Sequence, residues 1–257
     1  MRTVRRDGFR IAYEVVGDGP PLVLVHGFYG DRTTWRSGGH VDALAGNHRL
    51  VLIDALGHGD SDAPHDAAAY RLDRQVEDVV AVLDAEGVER AAYWGASMGG
   101  VIGLHLLARR PERITCMITG GAHACDVDVA PAEVEDEAEL FRSRGVAPFV
   151  DWLEPRGEVP GWMREMMLAA DPWALAALTT AISRRRGVID TLAGTDVPVL
   201  LITGDGDARL PEIRRTAEAV PNARLVELPG CGHSDAFLRL DLILPEVLSF
   251  LERNAAG

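Results

Sequence analysis

The chain has 257 residues, 26 basic and 39 acidic, for a formal charge of −13, and every basic residue is an arginine. Without lysine there is no pyridoxal Schiff base, no phosphate-loop lysine and no Ser-Lys dyad, and the acidic balance argues against nucleic-acid binding, which needs cations to neutralise phosphates. Apolar residues make up 47%, enough for a buried core and too many for a disordered chain.

The chain opens as a hairpin. Thr3 to Arg6 and Phe9 to Val15 flank Asp7-Gly8, a two-residue turn signal. Phe9, Ile11, Tyr13 and Val15 alternate with Arg10, Ala12 and Glu14, which predicts one buried and one wet face. The pattern then becomes short continuous apolar runs. Leu22 to Val25 ends at His26-Gly27, Leu50 to Ile53 at Asp54, and Ala91 to Trp94 at Gly95. Ile114 to Ile118 ends at Thr119-Gly120-Gly121, Val199 to Ile202 at Thr203-Gly204, and Leu225 to Leu228 at Pro229-Gly230. Strands apolar on both sides belong to a parallel sheet covered by helices on each face. Helical stretches lie between them at Leu72 to Ala85, Met98 to Arg110, and Asp235 to Arg253 with a break or kink near Pro245. Alternating strand and helix means an α/β fold with a mostly parallel sheet.

One region breaks the alternation. From about Ala122 to Gly187 there are helical patterns and no convincing strand. Ala132 to Arg144 is acidic and amphipathic, with Glu133, Glu135, Asp136, Glu137 and Glu139 on a solvated face. Asp171-Pro172 reads as a helix cap with proline in the first turn, followed by Trp173 to Arg186. There Arg184, Arg185 and Arg186 would end the helix and favour its dipole. The insertion, 122–187, is expected to be a helical cap or lid on a core made of 1–121 and 188–257. No apolar run approaches the roughly 18 residues of a membrane helix. No apolar stretch follows the N-terminal arginines, so no signal peptide is expected. Cys116, Cys125 and Cys231 are too few and scattered for a disulfide framework or a zinc site. A cytoplasmic protein with no membrane partner is expected.

The sharpest local signal is Gly95-Ala96-Ser97-Met98-Gly99-Gly100, set between an apolar strand and a helix. A strand turning abruptly into a helix holds Ser97 in a strained conformation and needs tiny neighbours, hence Gly95 and Gly99. The hydroxyl is exposed above the sheet edge, over amides of the helix N-terminus. Serine needs a base, and the base an orienting carboxylate. Gly204-Asp205-Gly206-Asp207 and Gly230-Cys231-Gly232-His233 follow two later strands and emerge at the same sheet edge as Ser97. His233 is the expected base. Asp207 is the preferred orienting acid, being farther along its loop, with Asp205 fixing the turn. Asp126 and Asp128 are the third option. An oxyanion hole needs two amides aimed at one point. Met98 supplies one and Phe28, in His26-Gly27-Phe28-Tyr29-Gly30, is the expected second donor, with His26 bracing that loop by hydrogen bonding.

Together, His26-Gly27-Phe28, Asp54 with Gly57-His58-Gly59-Asp60-Ser61, Gly95 to Gly100, Gly204-x-x-Asp207 and Gly232-His233 resemble the α/β-hydrolase family. The likeness runs from about Phe9 to Phe250. It is greatest to the branch of small esterases, lactonases, cofactor-free haloperoxidases and carbon–carbon bond hydrolases. The resemblance implies an eight-stranded sheet with its second strand antiparallel and a helical cap after the sixth. It implies Ser97, Asp207 and His233 as a triad, and a structural role for Asp54 to Ser61, His58 included. Serine rather than aspartate at the elbow implies an acyl-enzyme rather than an alkyl ester.

The cap contains Phe141, Phe149, Trp152, Trp162, Met163, Met166, Met167 and Trp173. Such residues at helical spacing are more often packing than binding. Trp152, Trp162, Met163, Met166 and Trp173 are nonetheless the candidate lining of a substrate pocket. The expected substrate is a small or medium hydrophobic carboxylic ester or lactone. The alternatives are carbon–carbon cleavage of a diketone from aromatic catabolism and a non-enzymatic ligand receptor on the same fold. No metal or organic cofactor is implied, and a homodimer is left open.

Overall fold

A computed structural model describes residues 1–154 and 159–254. The strands are β1 (Arg2–Arg6), β2 (Phe9–Val16), β3 (Pro21–Val25), β4 (Arg49–Ile53), β5 (Ala91–Ala96), β6 (Ile114–Gly120), a two-residue pair β7 (Val127–Asp128) and β8 (Arg184–Arg185), then β9 (Val199–Gly204) and β10 (Ala223–Leu228). Eight of them form one sheet in the order β1-β2-β4-β3-β5-β6-β9-β10. Within that sheet β2 runs antiparallel to both its neighbours, and every other pairing is parallel. Two short helices, α1 (Thr34–Ser37) and α2 (His40–Leu44), stand between β3 and β4.

The period of two along each strand divides the core. Val23, Val25, Val51, Ile53, Tyr93 and Leu201 point to one face. There they meet Val76, Val79 and Leu83 of α3 (Leu72–Ala85), Ile102 and Leu106 of α4 (Met98–Arg109), and Ile213 of a later helix, Leu210–Ala219. Leu22, Leu24, Leu50, Leu52, Trp94 and Ile202 point to the other face and meet Trp35, Val41, Phe237, Val247 and Leu251. Both faces are dry, which is why the strands read as unbroken apolar runs. Ala12, expected on a wet face, is fully buried. The turn after β4 folds over it, and the Ala12 N–H donates to Ser61 Oγ at 2.8 Å.

Between β6 and β9 lie α5 (Pro131–Arg144), α6 (Ala147–Leu153), α7 (Gly161–Ala169) and α8 (Pro172–Ile182). They share a small core of Ala138, Phe141, Val150, Met167 and Leu175. Residues 155–158 of the expected 122–187 segment lie outside the described residues. The acidic residues of α5 are exposed, as expected of a solvated face. Asp171 caps α8, accepting from the N–H groups of Trp173 and Ala174.

Three expectations are corrected. α8 stops at Ile182, so Arg184 to Arg186 do not end a helix. Arg184 and Arg185 instead pair in antiparallel register with Asp128 and Val127, an ion pair at 3.0 Å joining Arg184 to Asp128. This ladder, absent from the sequence reading, closes the neck of the insertion, and a closure between residues so distant in sequence overrides local helical preference. Finally, the C-terminal segment breaks at Arg239, between the short helix Asp235–Leu238 and the long one Leu240–Asn254, which runs on through Pro245. Proline there removes one hydrogen bond to the Asp241 carbonyl, and both residues lie exposed, so water can take the freed oxygen.

Candidate active site

Parallel strands deliver their C-terminal ends to one edge, and the predicted residues meet there. β5 ends at Ala96, and the next residue, Ser97, has a φ of 48° and a ψ of −108°, strained for a non-glycine residue. The two flanking glycines are obligatory. A Cβ on Gly95 would stand 2.3 Å from the Gly99 backbone, and one on Gly99 would stand 2.1 Å from the Val25 carbonyl oxygen. The Ser97 N–H donates to Gly120 O at 2.6 Å, and Tyr93 Oη donates to Gly99 O at 2.7 Å, fixing the turn against the sheet.

His233 Nε2 lies 3.0 Å from Ser97 Oγ, and His233 Nδ1 lies 2.7 Å from Asp207 Oδ2. The Asp207 side chain is fully buried. It also accepts from Thr203 Oγ1 at 3.1 Å and from the Arg209 N–H at 3.0 Å. Burial pushes its pKa up, but the hydrogen bond and charge of His233 and the Arg209 contacts outweigh this and hold it at about 2. Asp205 ties the two loops together by accepting from the Gly230 N–H at 2.9 Å. Asp126 accepts from the Gly187 N–H and Asp128 pairs with Arg184, so both serve the neck of the insertion. Thr203 escaped the sequence reading as a partner of Asp207, although it stands at the end of the quoted strand.

The loop after β3 touches the elbow. A Cβ on Gly27 would be 3.6 Å from Ser97 Cβ, and Gly99 N–H donates to His26 O at 3.1 Å. His26 braces this loop as expected: its Nε2 accepts from the Ala55 N–H at 3.1 Å, which leaves Nδ1–H to donate to Gly27 O at 2.8 Å. Burial lowers its pKa and keeps it neutral. Among the described residues, the N–H groups of Phe28 and Met98 donate to no protein acceptor. Such amides, one next to Ser97 in the chain and one in the loop that touches the elbow, can donate to a negatively charged oxygen.

The five residues proposed as pocket lining are dispersed over the insertion. Trp162 is half-buried against the cluster that holds Trp35, Phe237 and Cys231. Met163 packs on the core of the insertion. Met166 Sδ receives the Thr34 hydroxyl at 3.3 Å. Trp152 and Trp173 are 58% and 49% exposed, Trp173 with its ring 6.1 Å from that of His65. Phe141 and Met167 are fully buried and serve packing. Among the described residues, no helix is long and apolar enough to cross a membrane.

A family model described as alpha/beta hydrolase fold matches residues 20–184. The pimeloyl-[acyl-carrier protein] methyl ester esterase of Nitrosomonas europaea is 29% identical over 242 residues, 87% of this chain and 92% of that one. The crystal structure of the enol-lactonase from Burkholderia xenovorans LB400 superposes with a TM-score of 0.85 at 26% identity, covering 98% of this chain and 100% of that one. The bottromycin epimerase BotH, solved in complex with bottromycin A2, superposes with a TM-score of 0.85 at 33% identity over 97% of this chain and 98% of that one. With an eight-stranded sheet, a strained serine elbow and these relatives along nearly its whole length, the chain belongs to the alpha/beta hydrolase fold family.

Proposed function

We propose that this protein is a serine hydrolase that cleaves a small or medium hydrophobic carboxylic ester or lactone. The observation behind this reading is the unbroken series Ser97 Oγ, His233 and Asp207, at 3.0 and 2.7 Å, set on a strained elbow. Ser97 Oγ attacks the carbonyl carbon and passes its proton to His233 Nε2. The amides of Phe28 and Met98 hold the resulting oxyanion. The carbon–oxygen bond to the leaving group breaks, and His233 returns the proton to that oxygen. Water then attacks the acyl carbon, losing a proton to His233, and the acid leaves as Ser97 regains its hydrogen. Asp207, ionised at any pH above about 2, holds the imidazole in the right tautomer and stabilises its cation. We read 122–187 as a cap over this site.

Likeness to an epimerase of the same fold keeps a non-hydrolytic reading in view. The serine and its two partners favour hydrolysis, because neither a binding pocket nor the exchange of a proton at carbon needs a hydroxyl held ready to attack a carbonyl. The test is a panel of aryl esters of increasing acyl length, run beside lactones and a vinylogous diketone. Ester or lactone turnover abolished by Ser97→Ala is expected. Turnover confined to the diketone would favour carbon–carbon cleavage, and turnover undiminished in Ser97→Ala would overturn the proposal.

A further inference from the structure

The turn Gly57-His58-Gly59 has no part in the proposed chemistry, yet it is built with unusual rigidity. A Cβ on Gly59 would lie 2.3 Å from the buried Asp54 carboxylate, and one on Gly57 would lie 2.8 Å from the Tyr70 ring. Asp54 is fixed in turn by the N–H groups of Arg32 and Asp60, at 2.7 and 2.9 Å. His58 N–H donates to Ala55 O, and Ser61 N–H donates to His58 O. This turn delivers the buried His58 ring to the loop after β3. Its Nε2 lies 2.7 Å from Phe28 O, and its Nδ1 lies 3.1 Å from Leu56 O. A neutral imidazole has one N–H, and the shorter contact takes it. His58 therefore donates to Phe28 O from Nε2.

Phe28 is thus held at both of its peptide planes. The Gly27 carbonyl, which shares a plane with the Phe28 N–H, takes hydrogen bonds from His26 Nδ1 and the Gly30 N–H. The next carbonyl, Phe28 O, takes His58. The two rings meet edge to face at 4.9 Å, so each limits the other. Fixing the planes on both sides of a residue fixes its φ and ψ, and with them the direction of its N–H.

We propose that His58 is a positioning residue that aims the Phe28 amide at the oxyanion. This rests on the serine-hydrolase reading above. The ring touches no reacting atom and acts only through the Phe28 peptide. A loosely aimed donor binds a ground-state carbonyl nearly as well but loses its hold on the transition state.

The test compares His58→Leu, which has no donor, and His58→Asn, whose shorter amide ends near the position of Nδ1 and falls short of Phe28 O, with His58→Gln, whose amide nitrogen can stand near the position of Nε2. The substrate is the best aryl ester, and the probe is an aryl trifluoromethyl ketone that forms a tetrahedral adduct. Thermal melts identify variants that fold; if His58→Leu does not fold, His58→Asn replaces it. The expected result is a kcat about 10- to 100-fold lower in the Leu and Asn variants, with KM within about twofold. Affinity for the ketone should fall in parallel, and Gln should recover most of both losses. Folded Leu or Asn variants that keep wild-type kcat and ketone affinity overturn the proposal. So does an equal loss in Gln with KM rising in step. Those outcomes are read against active wild-type protein. A wild-type chain that neither turns over esters nor binds the ketone overturns the serine-hydrolase reading itself, and the role of His58 with it.

Discussion

Two aspartates two positions apart, Asp205 and Asp207, looked nearly interchangeable in the sequence, and geometry separates them. Asp207 is fully buried under His233, whereas Asp205 is exposed and bonds the Gly230 amide. Asp207→Asn should lower kcat by about 10³- to 10⁴-fold, as loss of the orienting carboxylate does in an analogous triad. Asp205→Asn should leave kcat within about threefold, because it disturbs a surface loop and no reacting group. Steady-state kinetics on both variants checks the assignment, and the reverse ranking would exchange their roles. The elbow at Ser97 and the loop that brings His233 to it were legible because glycine spacing and strand ends are local signals. The contact between His58 and Phe28 was not, since nothing in a sequence reports where a ring from one loop lands on another.

At the scale of elements, the insertion meets the site through aromatic packing. The Phe28 ring lies 6.0 Å from Phe141 of α5, Tyr29 lies 6.0 Å from Phe149 of α6, and Phe141 stacks on Phe149 at 4.2 Å. Phe141 is the fully buried centre of this group. Phe141→Ala should cost about 3–5 kcal/mol, the usual penalty for truncating a buried phenylalanine, and urea unfolding measures it. A loss below about 1 kcal/mol would mean that the insertion does not lean on this ring. The helices themselves were largely legible: α3 has the bounds its periodicity predicts, and Asp171-Pro172 starts α8 as its capping chemistry requires. What failed were ends. Three arginines in a row read as a helical last turn, but pairing with 127–128 drew two of them into a strand. Pro245 read as a break or kink, but the helix runs through it, with the one carbonyl it leaves unpaired exposed to water. Such outcomes depend on tertiary closure and solvent exposure, which a local pattern does not encode.

The molecule as a whole buries an unusual number of neutral imidazoles. His26, His40, His58, His105 and His123 are all less than a tenth exposed, and burial lowers the pKa of each. His40 and His105 fall to about 3, and His58 and His123 to about 4. The unfolded chain binds these protons near pH 6.5 and the folded chain does not, so stability is full above that pH and falls as pH drops below it. Each of the four histidines held at about 3 or 4 costs about 2 kcal/mol at pH 5, and His26 adds to the loss in the same direction. Asp54 and Asp78, raised by burial, work in the opposite direction. They are outnumbered, so the melting temperature should fall between pH 7 and pH 5. Differential scanning calorimetry across that range tests this, and a melting temperature that rises on acidification would contradict it. The mostly parallel sheet and the helical insertion within it were legible from the alternation of apolar runs and helices, whereas the antiparallel second strand was what the family resemblance implied. The acid sensitivity was not, since burial of a histidine depends on packing between distant segments.

The central claim is that Ser97 is a nucleophile poised by His233. Intact-protein mass spectrometry after treatment with a fluorophosphonate, with peptide mapping, tests it most directly. The account predicts a single phosphonyl adduct on Ser97, lost in Ser97→Ala and strongly slowed in His233→Ala. A wild-type chain that stays unmodified, or one modified at another residue with Ser97 untouched, would contradict it.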